Sequence, residues 1–224
     1  MNEEGQNNNE ANRKEFLLHM YNQMFNDINR HMGVVWQPIT VLAGSFALIA
    51  AATSEIISMD IAAALIIVLA GWLIAILYDS SYWYNRNLVI IANIERQFLS
   101  RSDLTEIHYY FGKHRKAGSM MDHIRIQWYL GVFVGGLILL YHLFTEVLKR
   151  WPTTWNFNQL EQALPFTLPW IATIAVVVSI ILLRKHYIDS YNEFIKNSPG
   201  IEVDTEGIDY RVGHPTDNKP QEQK

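Results

Sequence analysis

Residues 61 to 78 read IAAALIIVLAGWLIAILY, a run with no charged side chain, and residues 79 to 100 follow as DSSYWYNRNLVIIANIERQFLS, with neither glycine nor proline to interrupt them. At 1.5 Å per residue the apolar run alone covers about 27 Å, close to the thickness of a bilayer's hydrocarbon core. Beyond it, Leu88, Ile91, Ile94, Glu95 and Phe98 make a two-faced pattern at helical spacing. The two stretches together predict one helix of about 40 residues, on the order of 60 Å long, that crosses a membrane and continues into water.

Three further runs share the character of the first. Gly33 to Thr53 contains Gln37 as its one strongly polar side chain, Trp128 to Phe144 carries no acidic or strongly basic residue, and Leu164 to Leu183 ends at Arg184 and Lys185. Pro165 and Pro169 are placed near the start of the last run, where a missing N–H costs a helix little. The predicted fold is therefore all-α: a four-span transmembrane bundle whose spans are 33–53, 61–78, 128–144 and 164–183. The segment 54–60 is short enough to force the first two spans into an antiparallel hairpin.

Lysine and arginine set the orientation. Segments 1–32, 79–127 and 184–224 hold 3, 7 and 6 of them, whereas 54–60 and 145–163 hold 0 and 2. By the positive-inside rule both termini and the 79–127 segment are cytoplasmic, which for a chain of this kind predicts a bacterial inner membrane. Tryptophans agree: Trp36, Trp83 and Trp128 fall near the inner interface, Trp151, Trp155 and Trp170 near the outer one, and Trp72 at mid-depth.

The polar segments are themselves patterned. Leu17, Met20, Tyr21, Met24, Ile28 and Met32 predict an amphipathic helix over 12–32, preceded by a disordered stretch 1–11. Asp103 with Glu106 reads as a capping box opening a short helix with Leu104, Ile107 and Phe111, which Gly112 to Gly118 ends. Asp122 is placed as the cap of a helix leading into the third span. The fourth continues through Ile188, Tyr191, Phe194 and Ile195 over 184–200 until Pro199 and Gly200, and the tail 201–224 is expected to be disordered. These extensions need partners for their apolar faces, so a cytoplasmic helical bundle is expected.

Composition removes several functions. The chain has no cysteine, which excludes disulfides, thiolate nucleophiles and Cys-ligated metals, and its net charge of −4 argues against nucleic acid as a partner. The polar start, Met1 to Asn12, does not resemble a cleaved signal peptide. His108, His114 and His123 lack the spacing of a zinc site. Ser45 and His142 both fall within spans, but their heights differ by about 7 Å and no third group orients them, so no enzyme, cofactor or metal is expected.

What remains are packing and polar positions. Ala43, Ala47 and Ala51 on the first span and Gly131 and Gly135 on the third form small-residue faces that let helix backbones approach, within one chain or between copies. Gln37 beside Pro38 reads as a kink with its freed carbonyl satisfied, or as a position lining a water path. Asp79 and Arg86, seven apart, read as partners for neighbouring helices or as an ion or substrate site. Lys113, His114, Arg115 and Lys116 suit anionic lipid headgroups, or a phosphate-bearing cytoplasmic signal.

The lead helix Phe16 to Met32, the tight hairpin Gly33 to Tyr78 and the helical continuation Asp79 to Leu99 together resemble the SLATT-type two-span modules of bacterial conflict systems. The likeness is one of layout over roughly the first 100 residues, and the second pair of spans lies outside it. The resemblance implies an anti-phage defence effector that detects a cytoplasmic signal or partner and assembles with other copies into a membrane-perturbing complex. The rival expectation is a membrane scaffold or transport accessory subunit that docks a cytoplasmic protein.

Overall fold

The structure is a computed structural model of the chain and describes residues 3–98, 116–150 and 160–198. Among them the order is α1 (Glu3–Met32), a 3-10 turn (Gly33–Trp36), α2 (Gln37–Thr53), α3 (Met59–Phe98), α4 (Asp122–His142), a π-helical turn (Leu143–Val147), α5 (Leu148–Arg150) and α6 (Leu160–Lys196), with no strand. Three helical stretches are long and apolar enough to cross a membrane: Met59–Glu95, Asp122–Val147 and Phe166–Lys196. The helix at Gln37–Thr53 is shorter, 17 residues, or about 25 Å at the standard rise.

Several boundaries differ from the sequence-based expectation, each for a local reason. Residues 33–36 tighten into a 3-10 turn, so Gln37 opens α2 and Pro38 sits in its first turn, where its missing N–H has no helical acceptor to lose; the expected kink is replaced by a helix start. Helix α1 begins at Glu3 rather than at residue 12. Asp122 is not the cap of α4. Met121 holds that position in an extended conformation, and Asp122 occupies the first turn, paired with Arg125. Helix α6 begins at Leu160, which makes Pro165 and Pro169 interior residues; Thr173 donates its hydroxyl to the Pro169 carbonyl at 2.7 Å. The expected helix around Asp103, the residues Gly112 to Arg115 and the tail 201–224 lie outside the described residues.

The α2–α3 connection is a helix stop made without glycine. The amides of Glu55 and Ile56 donate to the carbonyls of Ala52 (3.1 Å) and Ala51 (3.0 Å), the pairing that closes many helices, with Glu55 at φ 60° where glycine is usual. Ser58 then caps α3 by accepting from the Ile61 amide at 3.3 Å.

The chain divides into two compact units. One comprises Met1–His31, Tyr82–Ser119 and Ser190–Lys224; the other comprises Met32–Ser81 and Met120–Asp189. In the first, Ile28 of α1 packs on Leu88, Ile91 and Ala92 of α3, flanked by Tyr21, Met24, Phe25 and Tyr84. Tyr21 donates its hydroxyl to the buried Glu95 carboxylate at 3.3 Å, which meets part of the cost of burying that charge.

In the second unit α3 is the inner helix. Of its most apolar 18-residue stretch 56% is buried, against 22% for α4 and 6% for α6, so lipid-like surface is concentrated on α4 and α6. Leu73 and Leu77 pack with Val41 of α2 and Ile124 of α4. Ala63, Ile66 and Ile67 pack with Ile138 of α4, and Leu48, Ala172 and Val176 close on them. Small residues set the spacing, and the closest approach is at Gly71, where an added Cβ would overlap the Val176 side chain of α6.

Candidate functional site

Among its described residues the second unit contains one aspartate–histidine pair withdrawn from solvent. Ser58 starts α3, which puts Asp60 in its first turn, where a carboxylate faces the positive end of the helix dipole. His142 closes α4, and the helix runs on from it through the π-helical turn to Arg150. The two meet: His142 Nε2 donates to Asp60 Oδ1 at 2.8 Å, with side-chain exposures of 0% and 1%.

Immediately after His142 the helix widens into the π turn Leu143–Val147. Such single turns are frequent at functional positions, because the extra residue redirects the side chains beside it. Thr145 secures this one by donating to the Tyr141 carbonyl at 2.8 Å. From α6, Trp170 presents its ring to the imidazole with centroids 6.5 Å apart and planes at 61°. The other ring nitrogen, His142 Nδ1, is buried with no hydrogen-bond partner among the described residues. A buried polar atom ordinarily has such a partner.

The chemistry open to this pair is limited by its neighbours. Ser45 is buried, but its hydroxyl donates to the Val41 carbonyl of its own helix at 2.7 Å, and His142 Nε2 is occupied by Asp60. A Ser–His dyad is not assembled. Asp60 and His142 supply two ligands, and among the described residues no cluster of three or more metal-ligating side chains occurs.

The other sequence-based candidates are dispersed. Gly131 faces α3, with an added Cβ 3.1 Å from Ile74 Cγ1 and 3.6 Å from the Ala70 carbonyl; Gly135 has only the Ala70 methyl at 3.8 Å. The close contact is thus within the chain and centred on Gly131. Ala43 and Ala47 are exposed and Ala51 is partly so, because α2 turns Val41 and Ser45 inward; this small-residue face is not the inward one within the chain, which leaves the alternative of contact between copies. Gln37 is half-buried at the start of α2. Asp79 and Arg86 do not share a partner. Asp79 accepts from the Tyr187 hydroxyl at 2.8 Å, while the Arg86 guanidinium lies 5.0 Å from the Trp83 ring centre and 5.2 Å from that of Phe194. Lys116 is exposed, and Lys113, His114 and Arg115 lie outside the described residues.

The apolar runs place Asp60 in the connection before the second span and His142 inside the third, and do not show their pairing. Both lie toward the same predicted membrane face, Asp60 just before the run 61–78 and His142 near the end of the run 128–144. Gln127 Oε1 and Trp128 Nε1 are also buried without hydrogen-bond partners among the described residues. No protein-family model matches the chain, and neither a curated protein nor a solved structure is similar to it.

Proposed function

We propose that this chain is a four-span bacterial inner-membrane protein with both termini in the cytoplasm, acting as an oligomerising defence effector that perturbs the membrane on a cytoplasmic signal. Helix α2, with Trp36 exposed at its start, is taken as the fourth crossing, and the unit that contains α1 as the cytoplasmic part. The observation that carries the assembling reading is the state of α6. Leu168, Ile171, Ile174, Val178, Ile181 and Leu182 are exposed along it, so the fold leaves a whole membrane-length helix to lipid or to other copies.

The scaffold reading draws on a different observation. From Ala62 to Leu77 every buried residue of α3 is apolar, and the buried polar side chains it meets cluster at its ends, at Asp60 with His142 and near Ser80, Ser81 and Gln127. The intervening buried serine of α2, Ser45, is bonded back to its own helix. Among the described residues the packed stretch between those groups carries no polar path, and permeation through an effector would then run between chains. Induced expression in cells loaded with a membrane-potential dye separates the readings. Rapid depolarisation is expected for the effector; a steady potential at high membrane abundance would leave the scaffold.

Topology is tested independently. Reporter fusions at 54–57 and within 151–162 are expected to read as periplasmic, and fusions near Arg101 or after Ser198 as cytoplasmic. A cytoplasmic reading from 151–162 would remove the fourth crossing.

A further inference from the structure

We infer that the unit containing α1 holds a binding site for a single-chain amphiphilic carboxylate, a fatty-acid-like monoanion, in the cleft between α1, the C-terminal part of α3 and the end of α6. The cleft has a volume of about 410 Å³, within the range of roughly 300 to 1,000 Å³ typical of small-molecule sites. A helix is about 10 Å across with its side chains, so that volume would seat only about one turn of a partner helix. A slender ligand fits it better.

The walls determine its chemistry. Leu17 and Met20 from α1, Ile90 and Ile94 from α3 and Phe194 from α6 supply an apolar wall along an open cleft, against which one side of an alkyl chain can lie. Polar groups occupy the rim, where Asn93 Nδ2 donates to Ser198 Oγ at 3.0 Å and Arg13 donates to Gln97 Oε1 at 3.0 Å. Among the described residues Arg13 is the only cation that lines the cleft. A guanidinium has five N–H donors in a planar fork, and Gln97 engages one nitrogen, which leaves the side chain able to receive a carboxylate. Lys14 and Glu10 border an adjoining depression that shares Arg13. Glu10 offsets part of the local positive charge, which favours a monoanion over a doubly charged phosphate.

Placement of the groups thus specifies one charge, one chain and a bounded length. Binding energy from the walls should grow by roughly fourfold in affinity per methylene, from about 0.8 kcal/mol each, and stop growing once the chain exceeds the cleft. Partition into a bilayer has no such limit over the same range.

The test uses the full chain in lipid nanodiscs with a photoreactive alkyl carboxylate, with labelled peptides mapped by mass spectrometry. Saturable labelling of the peptides carrying Met20 and Ile90 is expected, competed by dodecanoate and not by dodecanol. Arg13→Gln should weaken competition about tenfold or more, the cost of a charge-assisted hydrogen bond. Leu17→Trp, which fills the cleft from its partly exposed wall, should abolish the labelling while thermal unfolding stays at the wild-type midpoint. Labelling that does not saturate and is confined to the exposed face of α6 around Ile174 and Val178 would overturn the proposal, as would equal competition by dodecanol. The readout is binding alone. A failed depolarisation assay leaves the site standing, and a failed labelling assay leaves the effector reading standing.

Discussion

Replacing His142 with leucine is expected to destabilise the protein by about 3 to 5 kcal/mol, because it leaves the Asp60 carboxylate buried and without its imidazole. Asp60→Leu should cost a similar amount by leaving a polar ring in the same enclosure. The double variant is the informative one. Two apolar side chains of similar volume need no partner and no desolvated charge, so Asp60→Leu with His142→Leu is expected to recover most of the loss. Thermal unfolding of the four proteins in the same detergent forms a double-mutant cycle. Additive losses would mean that the 2.8 Å contact carries no coupling. Recovery would show that stability does not require the pair.

Gly71→Ala is the second large effect, and its sign is the point. In a helix, alanine is ordinarily better than glycine by about 1 kcal/mol. At Gly71 the added methyl would overlap both Cγ atoms of Val176, and a β-branched side chain in a helix has one favoured rotamer and little room to move. The expected result is a loss of about 1 to 3 kcal/mol, typical of an overfilled contact. Gly136→Ala, where nothing lies within 4 Å, should instead gain up to about 1 kcal/mol. Val176→Ala in the Gly71→Ala background should restore most of the loss. If Gly71→Ala and Gly136→Ala behave alike in a melting assay, α3 and α6 do not approach each other as described.

The glycine face of α4 does not carry its contact evenly. Gly131 and Gly135 were legible as a pair one turn apart, but only the partner helix decides which of them is tight. Ile74 Cγ1 stands against Gly131, whereas Gly135 meets a methyl group at ordinary distance. The same limit explains Ala43, Ala47 and Ala51. Their spacing marks a face of α2, yet Val41 and Ser45 on another face are the ones turned inward, since α2 carries apolar residues all round and periodicity cannot choose between its faces.

What the sequence determined unaided was the helical character of the chain and the long apolar stretches within it. Those follow from composition over windows of about 20 residues, where each backbone group is satisfied by its own helix and no distant contact is needed. The continuity of α3 over 40 residues was legible for the same reason, in the absence of glycine and proline beyond Tyr78. Tertiary structure alone decided that Asp60 and His142, 82 residues apart, share one buried hydrogen bond, that the neighbouring-helix partner of Asp79 is Tyr187, and that Arg13 faces Gln97 across a cleft. Each joins residues from separate helices. Helical periodicity states which face a residue occupies, and only packing states what that face meets.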